Sequence, residues 1–366
     1  MRVVMAARIL LLLLMSVPFG TLSAAPDTPP STAALIEQRH YKRAEAILAE
    51  RLKANPNDAR SYAEMSKVSE AFGRWDDAVR QAEKAISLDR KNAEFQAALA
   101  DAIGTKLSGA QLGMFAKLSL ARRFKKEAEL ALQLDPDNIE ANEDLMGFLL
   151  DAPGMLGGDK KKAAELAERV VHVNPVRGYL MRFDYASHEK QFGALEGLLQ
   201  QALDADPKSY SARIQAADFY LSKGPAVFAQ AEQQAAKAIQ IAPGRARAYA
   251  ILARIYAQQG RWKELDSLLS EAQRGVPDDL TPLYQAGISI LEGNQSQELA
   301  RAERYVRAYL GQPPEGEEPS LTEAHWKLGL ILEKEGRKDQ AKQELQQAVA
   351  LDGNFEPAKK DLKRLK

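Results

Sequence analysis

The chain has 366 residues, with 50 basic and 50 acidic side chains, 45% hydrophobic residues and no cysteine. Balanced charge leaves no electrostatic footprint for nucleic acid or an anionic membrane. The lack of cysteine excludes a disulfide framework, a thiol nucleophile and a lipid anchor on an N-terminal cysteine.

Residues 1–25 carry Arg2 and Arg8, an apolar run from Ile9 to Val17 and a small-residue ending, Ser23-Ala24-Ala25. This layout is that of a secretory signal peptide, with cleavage expected after Ala24 or Ala25. The run is roughly half the length of a membrane-spanning helix. The mature chain is therefore expected to be periplasmic or secreted, not a lipoprotein, and without membrane insertion. A Pro-rich linker, 26–34, follows.

From residue 35 onward short strings recur: Ala54-Asn55-Pro56, Leu88-Asp89-Arg90, Leu134-Asp135-Pro136, Val173-Asn174-Pro175, Ala205-Asp206-Pro207, Ile241-Ala242-Pro243, Gly275-Val276-Pro277 and Leu351-Asp352-Gly353. Their spacing centres on about 34 residues, the period of stacked helical hairpins. The strings divide residues 35–366 into units at about 35–56, 59–90, 93–136, 139–175, 178–207, 210–243, 246–277, 280–314 and 322–353, with a cap at 356–366. The unit 93–136 holds an insertion near Gly104 to Phe115, and 139–175 has an enlarged turn at 152–158. The unit 178–207 is short, which leaves the inward face of its first helix open.

The cleanest unit, 246–277, has Tyr249, Leu252, Ala253 and Tyr256 on one face of a first helix and Trp262, Leu265, Leu269 and Ala272 on one face of a second. Gly260 separates them, at a turn that favours the left-handed backbone region. This pattern resembles the tetratricopeptide repeat (TPR). Tyr62, Met65, Ser66, Gly73, Trp75, Ala78 and Ala85 repeat it in 59–90, and Leu328, Gly329, Leu332, Gly336, Ala341 and Ala348 in 322–353. The resemblance implies an all-α superhelical solenoid of eight or nine hairpins with a C-terminal capping helix.

Signals of catalysis are missing. His40, His172, His188 and His325 are scattered without metal-ligand spacing, and there is no nucleophile elbow or nucleotide loop. No enzyme activity, metal or cofactor is expected.

In TPR proteins the first helix of each pair lines a concave groove. Carried onto this chain, the resemblance puts Arg60 and Lys67, then Arg247 and Arg254, then Tyr284 and Ile288, then Trp326 and Leu330 in that groove. Arg247, Arg254, Tyr284 and Trp326 are the expected partner contacts, since Arg and aromatic side chains dominate interface energetics. They imply a peptide or protein ligand with acidic and apolar anchors. No unit pairs the Lys and Asn that clamp acidic chaperone tails.

The central block, with its run DAPGMLGGDKKKA, is similar to a segment of the TPR subunits associated with TRAP-type periplasmic transporters. The leading reading is thus a non-catalytic periplasmic scaffold for a protein partner; the alternative is an accessory ligand-binding protein of a solute transporter. Gly154, Gly157, Gly158, Asp159 and Lys160 do not have the spacing of a phosphate loop. Pro153 is expected to end one helix, Gly157 and Gly158 to reverse the chain, and Asp159 to cap the next helix. The three lysines behind Asp159 suggest contact with an anion or a partner.

Overall fold

Nineteen α-helices and no strand occur among the residues that the computed structural model describes, 30–316 and 318–365. The run Ile9–Val17 and the expected cleavage point lie outside the described residues. No described helix is long and apolar enough to cross a membrane.

The helices pack in successive pairs. The first three are α1 (Thr32–Glu37) with α2 (Tyr41–Ala54), α3 (Ala59–Ala71) with α4 (Trp75–Leu88), and α5 (Ala93–Gly109) with α6 (Met114–Leu134). Next come α7 (Ile139–Asp151) with α8 (Lys160–Val173), α9 (Pro175–His188) with α10 (Leu195–Ala205), and α11 (Tyr210–Ser222) with α12 (Phe228–Ile241). The last are α13 (Ala246–Gln258) with α14 (Trp262–Gly275), α15 (Thr281–Glu292) with α16 (Leu299–Leu310), and α17 (Leu321–Lys334) with α18 (Lys338–Leu351). A final helix, α19 (Glu356–Arg364), closes the end on α18. The first helix starts at Thr32, inside the stretch 26–34 expected to be linker.

The recurring strings are stop-and-start signals. The carboxylate of Asp135 accepts a bond from the Asp137 N–H at 3.0 Å, and that of Asp206 from the Lys208 N–H at 2.8 Å. Such a side-chain turn ends the second helix of one pair. A cap then starts the next: Asp58 accepts from the Ser61 N–H, Asn138 from Ala141 and Ser209 from Ala212. Inside the pairs, Gly260 turns the chain at φ 68°; where the corresponding position is not glycine, Arg39, Lys190 and Asn294 adopt positive φ instead. Each of these costs about 1 kcal/mol, which packing on both sides sustains.

Small residues let the helices close up. Ala78, Ala82 and Ala85 are fully buried on α4. A Cβ on Gly329 would stand 2.9 Å from Leu345 Cγ, so glycine sets the α17–α18 separation. First helices also touch the next first helix, α3 to α5, α5 to α7 and onward, making an inner layer.

Two irregular units resolve simply. In the short unit, Asn174 both ends α8 and caps α9 by accepting from the Arg177 N–H at 3.1 Å, so no linker intervenes. The inward face of α9 carries Arg177, Leu180, Asp184 and His188. The insertion near Gly104 to Phe115 consists of added helical turns around a short link, giving α5 17 residues and α6 21, against 13 in α3 and 14 in α4.

The array is not open at its beginning. The Lys42 backbone N–H donates to Glu315 at 2.9 Å, and its ammonium to the carbonyls of Pro313 at 2.7 Å and Asp278 at 3.2 Å. The Asp278 carboxylate accepts from His40 Nδ1 at 3.0 Å and Arg43 Nε at 2.6 Å. Arg245 reaches Glu37 at 2.5 Å. The proline-rich loop after α16 and the turn before α15 thus hold the first hairpin, and the superhelix meets itself.

Candidate functional site

The inner layer carries more carboxylates than cations along α3, α5, α7 and α9. Lys67 reaches from α3 past α5 to Glu140 on α7 at 2.6 Å. Arg177 forms a two-pronged pair with Glu143, its Nε 2.6 Å from Oε1. Glu70, Asp101, Asp144 and Asp184 lack such a cation of their own.

Their environments move their pKa values in one direction. Burial, then the Asp101 charge, raises Glu70 well above the usual carboxylate range despite bonds from Ser66 and Thr105. Burial pushes Asp101 up to about 6, with Lys67 opposing and Glu140 reinforcing. Burial raises Asp144 too, followed by the charges of Asp101, Glu140 and Glu143. Asp184 reaches solvent but is partly desolvated, and with Glu143 nearby it rises to about 6. One oxygen of Asp144, Oδ2, is buried without a hydrogen-bond partner. Desolvated like charges stacked this way favour either protons or an incoming cation.

Two hollows lie along the inner layer, and of the four acids Asp184 alone lines either of them. One of about 410 Å³ lies among α7, α9 and α11, lined by Glu143, Gly147, Leu180 and Asp184. Another of about 540 Å³ lies between α1, α3, α5 and the start of α7, with Glu37, Glu64, Glu94 and Glu140 facing Arg60 and Lys67. Among the described residues no three His, Asp or Glu side chains form a metal-ligand group.

The groove contacts expected from the repeat pattern fare differently. Arg247 is paired with Asp218 at 2.8 Å, and Arg60 with Glu94 at 3.1 Å. Arg254 is half-buried on α13 between buried Ala253 and Ile255. Tyr284 is corrected: it is 2% exposed, its ring 5.1 Å from that of Tyr309, because α16 folds over it. Ile288 is buried likewise. Trp326 is half-buried: its Nε1 donates to Asp361 at 2.8 Å and its ring packs on Phe355, and it lines an open hollow of about 690 Å³ with Glu356, Lys360 and Lys363. Tyr284 holds two hairpins together and does not form a ligand platform.

The enlarged turn behaves as expected locally. Helix α7 stops before Pro153, residues 154–156 form one 3₁₀ turn, and Gly157 takes φ 92°. A Cβ on Gly158 would strike the Ala152 carbonyl. Asp159 accepts from the N–H groups of Lys161 and Lys162. The lysines are tethered to carboxylates: Lys160 to Glu189 at 2.8 Å, Lys162 to Glu129 at 3.2 Å and Lys161 to Glu165 at 3.9 Å. Those pairs, to α6, to the α9 end and within α8, offset the repulsion of three cations at a helix N-terminus.

Sequence reasoning passed over the acid ladder. Its signal was partial: Asp101 interrupts the apolar stretch from Ala97 to Ile103, but Glu70 and Asp144 stand among other charged residues of α3 and α7.

Stacked helical pairs whose first members form an inner layer define a superhelical repeat scaffold. Residues 322–355 match the tetratricopeptide repeat family, and the whole architecture is that of the TPR solenoid. The crystal structure of yeast Tom70 is similar over 91% of this chain and 79% of that one, with a TM-score of 0.50 at 15% identity. Human IFIT1 with m7Gppp-AAAA gives 0.47 at 17% identity over 93% and 82%, and TTC0263, a thermophilic TPR protein of Thermus thermophilus, 0.42 at 16% over 50% and 92%. These likenesses concern fold alone. No match is found among curated proteins.

Proposed function

We propose that this chain is a non-catalytic, exported scaffold that holds a peptide or protein partner on its inner face. The observation carrying the reading is the ladder Glu70, Asp101, Asp144 and Asp184, in which one Asp144 oxygen is buried without a partner and Asp184 lines a hollow of about 410 Å³. It favours a segment rich in Lys or Arg, in place of the acidic ligand that the repeat pattern suggested. An arriving cation would supply the missing partner and return the raised carboxyl groups to their ionised form, so that binding is coupled to proton release. The non-catalytic part of the reading is supported by the absence of any nucleophile or nucleotide motif in the sequence.

The test is calorimetric titration with a synthetic Lys/Arg-rich peptide and its Glu-substituted counterpart, in two buffers of different ionisation enthalpy. Binding of the basic peptide alone, with proton release, and a loss of about tenfold in the Asp144→Asn/Asp184→Asn variant are expected. Equal binding of both peptides, or an unaltered affinity in that variant, would count against the reading.

A further inference from the structure

The two units that depart from the repeat length meet at one place. Helices α5 and α6 overshoot the neighbouring α7; Trp75 of α4 meets Gly109 and Asn354 donates to Gln111 at 3.3 Å, but on the α7 side the extra turns stand open. The enlarged turn of the next unit folds partly across the gap: a Cβ on Gly157 would strike the Lys125 side chain of α6. What remains is an open groove of about 420 Å³, lined by Leu107, Met114, Leu118, Phe124, Phe148 and Leu156. Beside these lining residues, Phe115 is 88% exposed and Met155 91% exposed, with Met114 itself at 72%. Apolar surface of this kind, left open to water, marks contact with something else.

Lys117 and Asp151 line the groove, and the helix that borders it is cationic. From Met114 to Lys126 the sequence carries Lys117, Arg122, Arg123, Lys125 and Lys126 and no acid. Lys117 lines the groove, while Arg122, Lys125 and Lys126 line a hollow of about 620 Å³ on the other side of Leu156. Arg123 is paired with Glu83 at 2.5 Å. Asp151 lies 3.4 Å from His188 with its side chain 81% exposed, Glu129 holds Lys162 at 3.2 Å and Lys125 at 4.0 Å, and Glu127 lies 3.7 Å from Lys126. Among the described residues this leaves Lys117 and Arg122 as the cations of the stretch without an ion pair.

We infer that this groove, between the overshooting ends of α5 and α6 and the 153–157 turn, docks an acidic amphipathic helix of a protein partner. A helix presents apolar side chains at i, i+3, i+4 and i+7 to a groove of this form, and carboxylates flanking that stripe meet the cationic borders. A flat lipid surface would meet Phe115 and Met155 but would leave the floor at Phe124 and Phe148 unfilled. The groove shares Asp151 with the hollow of about 410 Å³, but none of the four ladder acids lines it and it prefers the opposite charge, so the inference does not rest on the inner-face reading.

The probe is a fluorescent helical peptide with Leu at i, i+3, i+4 and i+7 and Glu on both flanks, titrated against the purified protein and read by anisotropy. A Lys-flanked copy serves as its control. Binding of the Glu-flanked peptide, weakened about tenfold by Phe115→Ser/Met155→Ser and by Lys117→Glu/Arg122→Glu, is the expected result. Hydrogen exchange should slow in 104–118 and 153–157 when that peptide is added. Each changed side chain is exposed, so unaltered melting of the variants separates lost docking from lost fold. Equal binding of the Lys-flanked peptide, or indifference to both variants, overturns the inference. Sedimentation with phosphatidylglycerol vesicles that depends on Phe115 and Met155, without peptide binding, overturns it in favour of a membrane contact.

Discussion

Replacing Asp278 by alanine should release the first hairpin and leave the rest of the array folded. His40 is 5% exposed and its bond to Asp278 is 3.0 Å, so its loss removes about 1.5 kcal/mol, the lower end for hydrogen bonds to charged groups. The Arg43 side chain is 49% exposed, and solvent screening limits that pair to about 0.5 kcal/mol. The sum, about 2 kcal/mol, corresponds to roughly a 30-fold rise in local opening. Hydrogen exchange followed by mass spectrometry should show that rise in Tyr41–Ala54, with little change in α8 to α11. The effect has a pH signature. Burial alone would raise the Asp278 carboxyl, but bonds from His40 and Arg43 outweigh it and hold the group below the usual carboxylate range. A depressed folded value gives stability that is present above about pH 4 and lost as pH falls through that value. Wild type and variant should therefore differ at neutral pH and converge in strong acid. Unchanged exchange in Tyr41–Ala54, or an equal rise throughout the chain, would refute the argument that these bonds tie the ends.

Other outcomes follow from the packing and the ladder. Gly178→Ala should destabilise by about 3 kcal/mol or more, because its Cβ would enter the Val171 backbone, whereas Gly147→Ala, with open space beside it, should stabilise by up to about 1 kcal/mol; thermal melting separates the two. Asp101, raised to about 6, gives stability that is full below about pH 4 and lost as pH rises through about 6. Asp101→Asn should remove that fall, amounting to about 1–3 kcal/mol, from a plot of melting temperature against pH.

The repeat was legible because its signals are local. Asp135, Asn138 and Gly260 each act within a few residues, through a side-chain turn, a cap and a left-handed bend. The groove was misassigned where repeat position alone was used. Whether Tyr284 faces a ligand or a neighbour depends on Tyr309, which arrives from the following helix, and Trp326 depends on Phe355 and Asp361 beyond its own hairpin. The acids of the ladder were visible as residues, but their desolvation comes from four helices acting together. The tie between the ends had no local signal at all, since His40 and Asp278 stand 238 positions apart.

That tie constrains how the molecule can vary in size. Open arrays grow or shrink by whole hairpins because each unit answers only to its neighbours. Here the rotation and rise gathered between α2 and α15 must add to one placement, the one that brings Asp278 beneath His40 and Arg43. Duplicating or deleting one hairpin inside that circuit would carry the carboxylate a full step past both bases. The intervening hairpins are consequently fixed in number as a set, while a unit grafted between α18 and α19 would lengthen the protein without disturbing the circuit.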